Sequence, residues 1–221
     1  MDAAGRRVVI TGIATHWGSE LARRLERDPR VAYLAGIDTR PPRVELERTD
    51  FIEADVRSPL LSRLLPGTKA DTVVHCGILW YPEPGRPARA LHDINVIGTL
   101  QLLAACERTE TLRRVVMRSS AAIYGCEGAA PLFFTEELAR KMPLRTRFQR
   151  DISELEGYFE NFARRHPGIA SCVLRYQPEI GAELDTPVVR YLSLPVRFFG
   201  HQRAQSGAFV RSLTHKKRKP T

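Results

Sequence analysis

"VVITGIATHWGSEL", residues 8–21, decides how the rest of the chain is read. A β-branched run from Val8 to Thr11 ends at Gly12, and an amphipathic stretch begins at Gly18. A strand that turns through glycine into a helix gathers free backbone N–H groups at the helix start, where they favour an anion. In a dinucleotide fingerprint the first glycine makes the tight turn and the last lets the helix pack closely on the sheet, roles open to Gly12 and Gly18. Thr15 stands where a middle glycine lets the chain approach a pyrophosphate, and its Cβ is expected to weaken or reshape such a loop. Two glycines alone also fit an ordinary strand–turn–helix. What favours a nucleotide is Asp38, which closes the next β-branched run, "AYLAGID" (32–38), 20 residues after Gly18. An acid at that distance is placed to hold a ribose 2′-hydroxyl. A carboxylate there favours NAD over NADP, with Arg40 and Arg43 nearby acting the other way.

Further runs of the same kind follow at 50–56, 71–77, 113–120 and 169–176, mostly apolar without alternation, as in strands buried on both faces of a parallel sheet. Helical patterns separate several of them. Leu21, Ala22 and Leu25 make an apolar stripe over 18–28, residues 88–108 read as one long helix containing Gly98, and Ile152, Leu155, Phe159 and Phe162 recur over 151–165. Strands alternating with helices imply an α/β fold: a Rossmann-like, doubly wound parallel sheet with helices on both faces. Ligands of such sheets bind at the carboxyl ends of the strands, where the opening loop lies.

Composition agrees with a globular chain. Of 221 residues, 43% are hydrophobic and 27% charged, and no apolar run reaches the ~18 residues of a membrane helix. The first apolar stretch is short and lacks a cleavage site, so a cytoplasmic protein is expected. Cys76, Cys106, Cys126 and Cys172 form no CxxC pair and are expected to be buried thiols, and the histidines show no ligand spacing, so no metal is expected. The net charge of +9 is uneven: residues 186–221 carry eight positive charges and no acid, and nine less eight leaves +1 for residues 1–185.

Several stretches together resemble the extended short-chain dehydrogenase/reductase superfamily, in particular NAD-dependent epimerases and dehydratases of the UDP-glucose 4-epimerase type. "TGIATHWG" (11–18) is similar to that family's TGxxGxxG loop without its middle glycine. "ADV" (54–56), "VVHCG" (73–77), "NVIGT" (95–99), "SSAAIYG" (119–125) and "LRYQPEIG" (174–181) resemble its later motifs in order and spacing. The resemblance implies NAD as cofactor, with Gly12, Thr15, Gly18, Asp38, Asp55, Val56, His75 and Asn95 around it, Asp55 and Val56 bordering the adenine. It implies a nucleotide-sugar substrate, Ser120 at the catalytic Ser/Thr position, and the option of a homodimer through helices 88–108 and 151–165. His75 also reads as packing against the first loop, and Trp17 and Trp80 as cover for the cofactor.

Enzymes of this kind pass a hydride to nicotinamide and a proton to a tyrosinate whose pKa is lowered by a lysine one helical turn away. No lysine stands four residues after any tyrosine of this chain. Aligned by spacing, Thr146 takes the tyrosine position and Arg150 the lysine position; Arg150 retains a fixed cation, but Thr146 is no phenolic acid/base. Little or no turnover is therefore expected. The readings are an epimerase/dehydratase-like NAD enzyme, a relative that binds NAD without turnover, or an interaction protein acting through its basic end. Residues 1–195 are read as the NAD-binding domain, with the substrate domain incomplete or absent. Residues 196–221 are read as a disordered basic tail, the out-of-frame end of a truncated product, whose nonspecific attraction for nucleic acid is not expected to be functional.

Overall fold

The computed structural model describes residues 5–81, 87–125, 133–136, 143–176, 180–181, 184 and 189–191. The chain forms two compact units, Met1–Gln177 and Pro178–Thr221. The first alternates β1 (Arg6–Thr11), α1 (His16–Leu25), β2 (Val31–Asp38), β3 (Thr49–Glu53), α2 (Leu61–Gly67) and β4 (Thr72–His75). It continues with α3 (Ala88–His92), α4 (Gly98–Glu107), β5 (Arg114–Ser120), α5 (Arg147–Arg165) and β6 (Ala170–Tyr176). All strand pairings are parallel, in the order β3-β2-β1-β4-β5-β6. The strand order therefore reverses between β1 and β4, the place where a doubly wound sheet opens a crevice for a ligand. In the second unit the Leu184 N–H donates to the Gly181 carbonyl at 3.1 Å. The basic segment 196–221 and Cys126 lie outside the described residues.

Burial on both faces explains the unbroken apolar runs of β1 and β2, whereas β3 and β6, at the ends of the sheet among the described residues, hold no buried residue. Val8, Ile10 and Leu34 pack with Ile13 and Ala22 on the α1 side. Val9, Ile37, Val73, Val115 and Met117 meet α2, α4 and α5 on the other, through Leu65, Leu102, Ile152, Leu155, Phe159 and Phe162. Burial pushes the thiols of Cys76 and Cys106 up to about 11 and about 12, which keeps both protonated near neutrality. Cys172, expected to be buried, is exposed. It shares the exposed alternate positions of β6, an edge strand among the described residues, with Ala170 and Leu174. No helix among the described residues is long and apolar enough to cross a membrane.

Residues 88–108 do not form the single α-helix that their length suggests. A π-helical turn, Asp93–Ile97, separates α3 from α4. Asn95 accounts for it: its Oδ1 accepts from the Leu79 N–H and its Nδ2 donates to the Leu79 carbonyl, both at 2.8 Å. The wider turn lets one side chain reach back and hold the loop that follows β4. Gly98 sits where the chain passes Val56; a Cβ there would lie 2.6 Å from Val56 Cγ1. Upstream, His92 Nδ1 lies 2.8 Å from Asp151 Oδ1, joining α3 to α5.

A buried relay links β1, β4 and α4. Thr11 Oγ1 is 2.7 Å from His75 Nδ1, His75 Nε2 is 3.1 Å from Thr99 Oγ1, and Thr99 donates to the Asn95 carbonyl at 2.5 Å. Thr99 has one hydroxyl proton, so His75 donates from Nε2 and accepts from Thr11 at Nδ1. Desolvation pushes the His75 pKa down to about 4, leaving the ring neutral.

Two predictions follow from these contacts. The folded His75 pKa lies below the unfolded value of 6.5, so on acidification the unfolded chain takes up the proton first. This contribution, about 3 kcal/mol, is fully present above pH 6.5 and is lost progressively down to about pH 4. Urea unfolding of wild type and His75→Gln between pH 7 and 4 checks it, the variant showing the smaller loss over that window. Gly98 and Gly157, both inside helices, should respond in opposite ways to alanine. A Cβ on Gly157 meets nothing within 4 Å, whereas one on Gly98 strikes Val56. Gly157→Ala should stabilise by about 0.5–1 kcal/mol and Gly98→Ala destabilise by about 1–3 kcal/mol, read from denaturant midpoints.

Candidate functional site

A cavity lies at the carboxyl ends of β1 to β4, on the crevice opened by the reversal of strand order. Gly12 and Thr15 of the first loop form one wall. The end of β2 contributes Ile37, Asp38, Thr39 and Arg40, and the segment after β3 contributes Ala54, Asp55, Val56 and Arg57. His75, Gly77, Leu79 and Ile94 complete it. Six of the eight expected cofactor residues thus converge, while Gly18 and Asn95 stand behind the wall.

The loop is built on backbone contact. Gly12 has φ +76°, and a Cβ there would lie 2.3 Å from the Cα of Gly77. A Cβ on Gly18 would lie 2.2 Å from the Gly12 carbonyl oxygen. Thr15 does not strain this arrangement. Its backbone is extended at φ −72° and ψ 156°, and it caps α1. Its hydroxyl donates to the Gly12 carbonyl at 2.7 Å and accepts from the Gly18 N–H at 3.0 Å. A threonine three residues before Gly18 is an N-cap signal, and that preference identifies its role.

Asp38 closes the loop from the other side. Its Oδ2 accepts from the Ala14 N–H at 3.1 Å, and its Oδ1 from the N–H groups of Thr39 and Arg40 at 2.8 and 3.3 Å. Oδ2 retains a lone pair for a ligand hydroxyl. Arg43 is committed to the loop: its Nε donates to the Ala14 carbonyl at 2.9 Å and its N–H to Ser19 Oγ at 2.8 Å. Arg57 grips Asp55, its Nε donating to Oδ1 at 2.9 Å and its Nη2 to Oδ2 at 2.5 Å, which raises the guanidinium pKa.

Beyond β4 the residues are arranged differently. Ser120 is fully buried, and its Oγ accepts from the Ala122 N–H at 3.1 Å, capping the 3₁₀ turn that follows β5. Neighbouring Ser119 donates to Glu156 Oε1, and Arg175 grips the same carboxylate, its Nη2 donating at 2.7 Å. Arg175 also donates from Nη1 to the Tyr124 hydroxyl at 2.5 Å, and the carboxylate beside it raises its pKa. Thr146 and Arg150 are exposed. Thr146 forms a capping box with Gln149, and Arg150 Nη1 donates to the carbonyls of Leu144 and Arg145 at 3.4 and 3.3 Å. The helical period places both off the stripe that carries Ile152, Leu155, Phe159 and Phe162. The residues of that stripe in the first turns of α5 are Phe148 and Ile152, also four apart. Ile152 is fully buried, and Phe148 packs its ring 5.6 Å from that of Trp80.

Sequence reasoning missed a second cluster, centred on Arg118. Its guanidinium carbon lies 5.8 Å from the ring centre of Trp17, 5.7 Å from that of Trp80 and 6.0 Å from that of Tyr176. Trp17 and Tyr176 themselves meet at 5.4 Å. Alternation along β5 puts Arg118 on the same face as Ser120, and that was the available signal.

The adenosine and diphosphate portion of NAD fits what is present: a glycine turn with the N-terminus of α1 for phosphate, Asp38 for ribose, and Val56 beside a base. This cavity shows no place for the nicotinamide portion. Among the described residues, none of those lining the cavity comes from β5, α5 or β6. Nor does any group of three or more His, Cys, Asp and Glu side chains among them offer a metal site.

Comparison with known proteins agrees with this geometry. The NAD dependent epimerase/dehydratase family matches residues 8–194. An uncharacterized protein of Mycobacterium tuberculosis, and one of Mycobacterium bovis, are each 33% identical over 193 residues, 86% of this chain but 51% of theirs. The chain thus spans about half the length of the curated relatives it matches. Among solved structures, UDP-glucose 4-epimerase from Brucella ovis in complex with NAD is similar at TM-score 0.68 and 25% identity, covering 83% of this chain and 55% of its own. UDP-glucuronic acid 4-epimerase from Bacillus cereus, in complex with UDP-glucuronic acid and NAD, gives TM-score 0.67 at 22% identity, covering 86% and 63%. Its sheet order, its glycine loop and the match over residues 8–194 place this chain in the NAD dependent epimerase/dehydratase family.

Proposed function

We propose that this chain binds NAD in the crevice between β1 and β4, is related to enzymes that modify nucleotide sugars, and has lost their acid–base pair. The observation that carries the binding is the junction of Gly12, Thr15 and Asp38 around one cavity at the reversal of strand order. Bound NAD supplies a hydride acceptor in the family's chemistry. The residues here do the holding: the α1 amides face the diphosphate, and Asp38 Oδ2 accepts from a ribose hydroxyl. The Asp38 carboxylate disfavours a 2′-phosphate, and Arg43, directed to the Ala14 carbonyl, does not offset it. Ser120 is retained from the family's catalytic set, but in this reading it caps a turn and Thr146 caps a helix.

A non-catalytic NAD binder is the reading favoured by one specific observation: Thr146 and Arg150, which take the acid–base positions by spacing, are exposed and engaged in capping and backbone contacts at the start of α5. Calorimetry should show NAD binding more tightly than NADP, with Asp38→Ala weakening NAD by about tenfold, the loss of one good hydrogen bond to a charged group. Heat from neither cofactor in a folded sample overturns the binding reading. Incubation with UDP-glucose, UDP-galactose or dTDP-glucose and NAD should give no product above background. Rapid conversion abolished by Ser120→Ala would overturn the loss of activity while leaving cofactor binding intact.

A further inference from the structure

We propose that the ligand is recognised through its ADP-ribose half alone, because Trp17, Trp80, Arg118 and Tyr176 occupy the place of the nicotinamide half. This rests on the proposed binding of NAD between β1 and β4. A dinucleotide bound at a switch point runs from the adenosine subsite across the carboxyl ends of the strands on the far side, here β4 and β5. Among the described residues, aromatic side chains lie across those ends. Trp17 projects from the first turn of α1 beside β1, and Tyr176 closes β6. The sheet order places both β4 and β5 between β1 and β6, so the Trp17–Tyr176 contact spans the two strands. Arg118 stands within this roof, its guanidinium near three aromatic rings. Trp80 continues the wall to Phe148 at the start of α5.

The chemistry of the wall matches its position. Oxidised nicotinamide is a planar ring, and the Arg118 guanidinium, itself planar and set among three aromatic rings, fills the space such a ring needs. The rings that would stack on nicotinamide already share their surroundings with Arg118. The apolar pair Phe148 and Ile152 offers nothing to the nicotinamide ribose. The adenosine side is open, with Asp38, Val56 and the glycine loop lining one cavity. The ligand class is therefore an adenosine diphosphate bearing a terminal ribose or a similar small group, with NAD as one example.

The test is calorimetric titration of the full chain with NAD, ADP-ribose, ADP and AMP. ADP-ribose should bind at least as tightly as NAD, within about twofold, since the nicotinamide makes no net contact, and AMP should bind more weakly for lack of the second phosphate. NAD binding tenfold or more tighter than ADP-ribose overturns the proposal and leaves the NAD reading standing. No heat from any of the four in a folded sample overturns both. Trp17→Ala opens the roof and should shift preference towards NAD by about fivefold or more, since a ring-sized contact becomes available. An unchanged ratio in folded Trp17→Ala overturns the assignment of the roof. The emission of bound NADH gives an independent reading. It should stay near that of free NADH in wild type; a strong enhancement means that the dihydronicotinamide is held, and contradicts the proposal.

Discussion

The contact of Gly12 with Gly77 is the constraint on which the site depends. It joins the loop after β1 to the loop after β4, the two that flank the reversal of strand order, at a separation that leaves no room for a Cβ on Gly12. Everything near the cavity is registered to that contact. Gly18 brings α1 against the Gly12 carbonyl, Thr15 caps α1 on the same carbonyl, and the His75 relay fixes β4 beside β1 from beneath. Asn95 then holds the continuation of the β4 loop at Leu79. The amides at the start of α1 are thus set by main-chain packing, and side chains line the cavity beside them.

The two ends of the crevice are built on different principles. At the adenosine end polar groups face an open cavity. At the far end several polar groups satisfy one another, although Trp80 Nε1 and one carboxylate oxygen of Asp151 are buried there without a hydrogen bond among the described residues. Ser119, Glu156, Arg175 and Tyr124 form a closed network, with Glu156 buried between a serine and a bidentate arginine. Removing one partner of such a network leaves a buried charge uncompensated, so its members act as structural ties between β5, α5 and β6. The sequence motifs that resemble a catalytic centre are kept in this part of the chain, and their side chains are spent on each other.

Much of the fold was legible because its signals are local. Apolar runs without alternation marked the strands, and the glycine loop with Asp38 marked the adenosine end. What escaped notice depended on geometry between distant residues. Nothing in residues 88–108 announces a π-helical turn, because the Asn95–Leu79 pairing that sustains it spans 16 residues. Thr15 read as a departure from a glycine pattern, although as an N-cap it is well suited to its place. The alignment of Thr146 and Arg150 followed linear spacing, whereas the periodic stripe of the same helix sets both outside it and selects Phe148 and Ile152. Arg118 drew no attention because a lone arginine in a strand has no motif; its meaning comes from three aromatic residues on three other segments.

The π-helical turn also sets a phase relation. An α-helix advances about 100° per residue, so one additional residue within a turn rotates everything upstream by that angle relative to everything downstream. α3 and α4 are therefore offset by about a quarter of a revolution from the positions they would hold in one continuous helix. That offset lets α4 turn Leu102 and Cys106 into the core while α3 presents His92 to Asp151. A deletion of a single residue between Asp93 and Ile97 would preserve composition and helical propensity almost unchanged, yet it would swing His92 off α5 and withdraw Asn95 from Leu79. In this chain the insertion or loss of one residue is a larger perturbation at 93–97 than many substitutions, because what is stored there is angle.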